Sequence, residues 1–197
     1  MFTKLLPCAL LTLGITVLSC NQEEKKQATP ATQAPVAAPT PQQAAAAELP
    51  KLQQEFAKDT NNIENRNLLA AKLYAAGELE KAAEQFNLVY QRDPKNLVAL
   101  SNLGNIYYDS QQDDLAIDYY EKALAIDPNN INMRCDLATS YSNINKLKKA
   151  IQILEENIKN DPKHPTSHYN LSVILKKKGD IKEAEKEMEI YKSLTGK

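Results

Sequence analysis

The sequence predicts an all-α fold, a solenoid of four antiparallel helix pairs preceded by a capping helix. Asp-Pro dipeptides recur every 34 residues, a period typical of stacked helical pairs. The apolar residues between them follow helical spacing rather than the alternation of a strand. The 197 residues include only five Gly and are rich in Ala, Leu, Lys, Glu, Gln and Asn, a composition that favours helices.

The Asp-Pro dipeptides set the limits of the repeats. Proline lacks the backbone N–H and clashes with the preceding turn, so each dipeptide ends one helix and the residues after it begin the next. In the second unit, apolar faces run from Leu100 to Tyr107 and from Leu115 to Leu124, with a polar turn at 109–113 between them. Such short turns join antiparallel helices. The predicted units are 63–96, 97–130, 131–164 and 165–197.

The second unit resembles a tetratricopeptide repeat. The resemblance is carried by residues 102–108 (Asn-Leu-Gly-Asn-Ile-Tyr-Tyr), 116–124 (Ala-Ile-Asp-Tyr-Tyr-Glu-Lys-Ala-Leu) and 127–130 (Asp-Pro-Asn-Asn). It implies a right-handed superhelical solenoid of four such helix pairs over 63–197, with the first helix of each unit lining a concave groove. The other units depart from the family pattern early in the first helix, where a large apolar residue is usual. That position is held in turn by Arg66, Leu100, Arg134 and His168.

Both ends of the array have their own pattern. Leu49, Leu52 and Phe56 form a narrow apolar stripe, which predicts a capping helix over 48–62 with Pro50 in its first turn. The last helix is apolar on an equally narrow stripe and charged elsewhere. A terminal repeat needs such a polar outer face to stay soluble.

The first twenty residues differ from the rest. A single cationic residue, Lys4, precedes a short apolar run, and Val17 and Ser19 lie three and one residues before Cys20. This pattern resembles a bacterial lipoprotein signal, which implies a signal peptide over 1–19 and a lipidated Cys20. An ordinary secretory signal cut near the same place and an uncleaved anchor are the alternatives.

Residues 20–47 are rich in Ala, Pro, Gln and Thr and almost lack large apolar side chains, which predicts a disordered tether to a domain that folds alone from 48. If Cys8 leaves with the signal and Cys20 is acylated, only Cys135 remains, and no intramolecular disulfide can form. The resemblance to a lipoprotein implies a bacterial cell-envelope protein, anchored to a membrane by lipid and facing the periplasm or the exterior.

No pattern in the sequence indicates catalysis. The net charge of −1 gives no electrostatic footprint for nucleic acid, and there is no Gly-rich phosphate loop or nucleophile elbow. His164 and His168 are four residues apart and could share a metal, but they also suit a helix-opening residue and a packing residue. Cys135 suits a reactive thiol or a buried small hydrophobe. We therefore expect no enzyme, no cofactor, no metal and no small-molecule substrate.

The family resemblance places the function in the groove. Asn offers donors and acceptors to the backbone of an extended peptide, and Tyr offers contact area at low entropic cost. The basic residues with which some family members hold a carboxyl terminus are not matched. The inward positions carried over from the family are Asn67, Leu68, Tyr74, Ser101, Asn102, Asn105, Tyr108, Asn132, Cys135, Asp136, Thr139, Tyr169, Asn170 and Val173.

These observations predict a lipid-anchored adaptor that binds a partner protein or extended peptide in the groove, with envelope, pilus or secretion assembly as candidate settings. The first alternative is a static structural subunit of an envelope complex that uses its convex face. The second is an enzyme or metal-dependent sensor built on His164, His168 and Cys135.

Overall fold

The computed structural model of the protein describes residues 38–196. These residues form helices joined by short turns, and every helix packs on the helices next to it in the chain. After α1, each repeat contributes a first helix (α2, α4, α6, α8) and a second helix (α3, α5, α7, α9). The helices are α1 (Pro41–Lys58), α2 (Ile63–Ala75), α3 (Leu79–Arg92), α4 (Leu97–Asp109), α5 (Asp113–Ile126), α6 (Ile131–Asn143), α7 (Leu147–Asn160), α8 (Pro165–Lys178) and α9 (Ile181–Thr195).

The 34-residue period is visible in the caps that start the first helices. The side chains of Asn62, Asn96, Asn130 and His164 each accept a hydrogen bond from the backbone N–H three residues later. This bond satisfies one of the N–H groups that a helix start leaves without a partner. The polar residues after each Asp-Pro therefore define where the next repeat begins.

The turns that lead from first to second helices also repeat. Gly77 and Gly179 have φ of 83° and 99°, and the matching residues Gln111 and Asn145 have φ of 59° and 63°. One left-handed residue at the end of a helix lets the chain reverse within a short turn. These four turns lie at the same edge of the solenoid, which we call the turn edge, and the Asp-Pro dipeptides lie at the opposite edge.

The core lies between the first and second helices and continues from repeat to repeat. Two clusters of buried apolar residues fill it, one around Phe86 and Leu103 and the other around Tyr120 and Leu154. Small residues allow the close approach of the helices, and Gly104 lies directly beneath the Tyr120 ring. This arrangement is the all-α solenoid that the sequence predicts.

The first helix begins earlier than predicted. We expected a tether up to 47 and a capping helix from 48, but α1 starts at Pro41, and Pro50 lies inside it rather than in its first turn. Thr40 and Gln43 form a capping box, and Ala45 is buried. Alanine is the best helix former, so a segment without large apolar side chains still folds where it has a cap and a surface to pack on.

The α1 helix has the place of a second helix from an incomplete repeat. Asp59 lies 34 residues before Asp93, and both carboxylates accept a hydrogen bond from the backbone N–H two residues later, at 3.1 Å. The predicted signal peptide (1–19), the lipidated Cys20 and the tether as far as residue 37 lie outside the described residues.

The last helix, α9, buries only Ala184 completely. Apart from Glu187, which is half-buried, its charged residues are exposed as predicted, but Ile181, Ile190 and Leu194 are also 47%, 40% and 37% exposed. Within residues 38–196, no helix is both long and apolar enough to cross a membrane.

Candidate functional site

The first helices form the concave face of the solenoid. Each contacts the next (α2 with α4, α4 with α6, α6 with α8), whereas in the described residues no second helix contacts another second helix. Because the first helices lie closer together, the array curves with them on the inside. The groove predicted from the sequence is this concave face.

A depression of about 310 Å³ lies in the groove between α4 and α6. Four of the predicted site residues line it: Ser101, Asn105, Asn132 and Asp136. Val98, which is 50% exposed, and Tyr120 add apolar surface to the same depression. Amides, a carboxylate and apolar surface therefore meet at the centre of the concave face.

Several predicted site residues bond to the neighbouring repeat. The Tyr74 hydroxyl donates to Asp109 Oδ2 at 2.6 Å, and burial together with this bond raises the pKa of Tyr74. The Asn67 amide donates to Asn96 Oδ1 at 3.3 Å, and the Asn170 amide donates to Thr139 Oγ1 at 3.4 Å. These bonds tie successive first helices together, so these side chains have a structural role besides any contact with a ligand.

Other predicted site residues are less constrained. The Asn102 amide donates to the Val98 carbonyl of its own helix at 2.8 Å. Asn105 accepts a hydrogen bond from the Tyr120 hydroxyl at 2.8 Å, and among the described residues its amide nitrogen has no partner. Tyr108 is half-buried against the core, and Tyr169 is 43% exposed with its ring centroid 5.1 Å from that of Tyr191.

Cys135 does not line the groove, and that prediction is wrong. The side chain is 1% exposed, with its Sγ 3.4 Å from Ser167 Oγ and 3.5 Å from the Asn157 amide nitrogen. Its position on α6 faces α8, and Ser167 of α8 covers it. Burial raises the pKa of the Cys135 thiol, which lowers its reactivity as a nucleophile.

Asp136 dominates the electrostatics of the depression. Its surface is reached by water, yet the walls of the groove displace part of its hydration and raise the pKa of its carboxyl to about 6. No Lys or Arg lines the depression in the described structure. Burial, and to a smaller degree the charge of Asp136, raises the pKa of Tyr120. The depression is therefore anionic at neutral pH and suits cationic or hydrogen-bond-donating groups.

The Asp136→Asn variant should be more stable than the parent at neutral pH. An aspartate in the unfolded chain has a pKa of about 3.9, so between about pH 4 and 6 the folded chain binds this proton more tightly and loses stability as the pH rises. The variant should melt about 1–2 °C higher at pH 7, a small gain because solvent screens the exposed group. The gain should vanish below pH 4, and an equal gain at both pH values would contradict this assignment.

The two histidines have structural partners. His164 caps α8, and its Nε2 lies 3.0 Å from Asn132 Oδ1. His168 is 3% exposed, with Nδ1 2.6 Å from Glu187 Oε2 and Nε2 3.0 Å from the Pro162 carbonyl. Within the described residues, no group of three His, Cys, Asp or Glu side chains is placed to hold a metal ion.

The sequence did not reveal how the polar residues early in the first helices are accommodated. Each reaches a polar partner on the second helix of its own repeat. Arg66 donates to Gln85 Oε1 at 2.6 Å, and Arg134 pairs with Glu156 at 2.5 Å, as His168 does with Glu187. Each partner lies 19 to 22 residues further along the chain. In the sequence, the only sign of these pairs is that polar residues recur at the position of Arg66, Arg134 and His168.

Comparison with known proteins matches the repeats. Sequence profiles described as tetratricopeptide repeats match residues 98–130, 119–152 and 165–189. The chain is 36% identical over 129 residues to a protein of Cyanophora paradoxa named "Uncharacterized protein ycf37", an alignment that covers 63% of this chain and 72% of that protein. The aligned region therefore covers most of both proteins.

Two further relatives are much longer. A probable UDP-N-acetylglucosamine–peptide N-acetylglucosaminyltransferase SEC of Arabidopsis thaliana is 33% identical over 102 residues, which are 51% of this chain and 10% of that protein. A peroxisomal targeting signal receptor of Candida glabrata is 27% identical over 123 residues, which are 56% of this chain and 21% of that protein. The chain thus spans only a small part of either relative.

Solved structures support the fold. MamA 41-end from Desulfovibrio magneticus RS-1 superposes with a TM-score of 0.72 at 21% identity, over 77% of this chain and 86% of that one. A second crystal structure of MamA has a TM-score of 0.70 at 20% identity, over 77% and 89% of the two chains. At this level of identity the likeness concerns the fold alone.

Proposed function

The chain belongs to the tetratricopeptide repeat family, and on that premise we propose that it is a lipid-anchored, non-catalytic scaffold that binds a partner protein or an extended peptide in its concave groove. The fold is typical of protein–protein interaction scaffolds. The observation that carries the proposal is the depression between α4 and α6, where Ser101, Asn105, Asn132 and Asp136 converge beside the exposed Val98.

The chemistry of the depression suits an extended peptide. The Asn105 and Asn132 amides can pair with peptide backbone groups, and Asp136 can accept from a cationic side chain or an N–H group. Val98 and Tyr120 offer apolar contact beside them. The Candida glabrata relative is a receptor for a targeting signal by its name, which supports recognition of a peptide segment as the activity of this fold.

The anchor and the location are proposed from the N-terminal pattern. Val17 and Ser19 before Cys20 support cleavage and acylation, which would attach the protein to a membrane of the bacterial envelope, facing the periplasm or the exterior. Envelope, pilus and secretion assembly are the candidate settings.

Acylation of Cys20 is tested on protein from the native host. We expect mass spectrometry of the N-terminus to show a cleaved, lipid-modified Cys20, and a Cys20→Ala protein to leave the membrane fraction. A variant that stays with the membrane after a high-salt wash, in cells that lack the partner, would overturn the anchor, because such a wash removes protein held by charge alone. The groove proposal would stand in that case, because binding is measured with soluble protein.

Binding in the groove is tested with a partner captured from the native host. Asn105→Ala and Asn132→Ala, which change two residues that line the depression, should each weaken binding by about 1–2 kcal/mol, since a few central anchors carry most of the energy of such interfaces. Asn132 is the cleaner probe because its side chain is exposed and, among the described residues, bonds only to the His164 ring. Affinity should fall only modestly with added salt, since the lining is mostly uncharged.

The matched control is Asp118→Ala on α5, where the side chain is exposed and pairs only with Lys122 of the same helix. It should bind as the parent does, and circular dichroism should show unchanged helicity in all three variants. If the groove variants bind normally and Asp118→Ala abolishes binding, the partner uses the convex face. The protein would then be a static structural subunit, the second candidate function.

A further inference from the structure

The turn edge is strongly basic in its C-terminal half. The stretches 143–149 and 176–183, which hold the turns of the third and fourth repeats, contain seven lysines and two carboxylates. The corresponding stretch of the second repeat, 109–115, contains three aspartates and no basic residue. The protein as a whole has a net charge of −1, but these two stretches together have an excess of positive charge.

The lysines of two repeats meet around one depression of about 500 Å³. Lys146 lies at the N-cap of α7, Lys148 and Lys149 lie in its first turn, and Lys178 comes from the end of α8. Lys177 donates to the Ser142 carbonyl at 2.5 Å and so ties the two turns together. The ammonium groups that are distant in sequence thus form a single surface, which we call the lysine edge.

Nearby carboxylates do not neutralise the lysine edge. Lys149 pairs with Glu121 at 3.1 Å and Lys178 with Asp180 at 2.5 Å, and these pairs are exposed, so solvent screens them. In the part of the chain that the structure describes, Lys146 and Lys148 form no ion pair. The surface therefore keeps positive charge that a ligand can use.

Helix stability does not account for the lysines in the first turn of α7. Cations are unfavourable at a helix N-terminus, where the macrodipole is positive. The second helices α3, α5 and α9 each have acidic residues in the first turn, whereas α7 has none and carries Lys148 and Lys149 there. Lys149 gains its contact with Glu121, but Lys148 forms no ion pair in the described part of the chain, so its position points to an interaction outside the chain.

The N-terminal chain joins the domain at this same edge. The Gln42 side chain, in the first turn of α1, donates to the Ala76 carbonyl at 2.9 Å, in the turn between α2 and α3. The start of α1 therefore lies at the turn edge. Pro41, at which α1 begins, thus lies at the edge of the solenoid that carries the lysine edge.

We propose that the lysine edge docks on an anionic phospholipid surface, with the ammonium groups against lipid phosphates. The docking proposal depends on the proposed lipid anchor in one respect only, which is that the anchor brings the domain to the membrane. A lysine near an anionic surface contributes about a fivefold gain in partition. Docked on its turn edge, the solenoid stands upright on the membrane and leaves the concave groove open at its side for a partner.

The test uses residues 38–197, which form a compact unit by themselves and lack the predicted anchor. Co-sedimentation at low ionic strength compares vesicles of phosphatidylglycerol mixed with phosphatidylcholine and vesicles of phosphatidylcholine alone. The unit should bind only the mixed vesicles. Replacing Lys146, Lys148 and Lys178 by Gln should lower the partition by about tenfold or more.

A matched variant replaces Lys95, Lys159 and Lys163 by Gln. These exposed lysines lie at or near the Asp-Pro edge, and the charge change is the same, so its partition should stay within about twofold of the parent. Equal losses in the two variants, binding to phosphatidylcholine alone, or no binding to either vesicle would overturn the proposal. Binding of an acidic protein in place of vesicles would also overturn it. Since the anchor is absent from every sample, these results are independent of whether Cys20 is acylated.

Discussion

A chain that begins at residue 60 should lose about 4 kcal/mol of unfolding free energy relative to one that begins at 38. Without α1, the buried Leu49 and the partly buried Leu52 and Phe56 no longer cover the first repeat, and apolar burial of this size contributes about that much. The chain also loses the contact of the Arg66 guanidinium with the Phe56 ring, at 4.6 Å from the centroid.

Comparison with a chain that begins at 48 isolates what the first two turns of α1 contribute to the free energy of unfolding. It lacks the Thr40 capping box, the buried Ala45 and the Gln42 bond to the Ala76 carbonyl, so it should lose about 2 kcal/mol. Urea unfolding followed by circular dichroism measures all three chains. If the chains from 38 and 48 unfold at the same urea concentration, residues 41–47 contribute nothing to stability, and the predicted boundary between tether and folded domain at 48 is correct.

The Gly104→Ala variant should be destabilised by about 2 kcal/mol, although alanine is the better helix former. A Cβ at this position would lie 2.5 Å from Tyr120 Cε1 and 2.6 Å from Cδ1. The Tyr120 ring cannot move away easily, because it is 2% exposed and its hydroxyl is bonded to Asn105. Since Tyr120 and Asn105 line the groove, the variant should also bind a partner less tightly.

A double-mutant cycle tests the cause. In the next repeat the corresponding pair is Ala138 and Leu154, both fully buried, so Gly104→Ala should be tolerated together with Tyr120→Leu. The two changes should show a coupling energy of about 2 kcal/mol in favour of the double variant. A Gly104→Ala protein that is more stable than its parent would contradict the close packing described here.

The site was predictable in part. Ser101, Asn105, Asn132 and Asp136 meet at one depression because successive first helices lie side by side, and the period of 34 predicts that their inward positions share one concave face. Cys135 follows the same rule and yet is buried, since its exposure depends on Ser167 of the next repeat. The lysine edge was visible in the sequence only as a charge run at 176–178, because its other lysines come from a different turn.

The sequence by itself determined the solenoid, the number of full repeats and the residues at which their helices start and end. These features depend on local chemistry: a proline that ends a helix, an Asn that caps the next and apolar residues at helical spacing. Only the tertiary structure decided where α1 begins, how Arg66, Arg134 and His168 are partnered, and which turns share a surface. Each of these depends on side chains from other helices, which local patterns do not bring together and which the packing of successive repeats does.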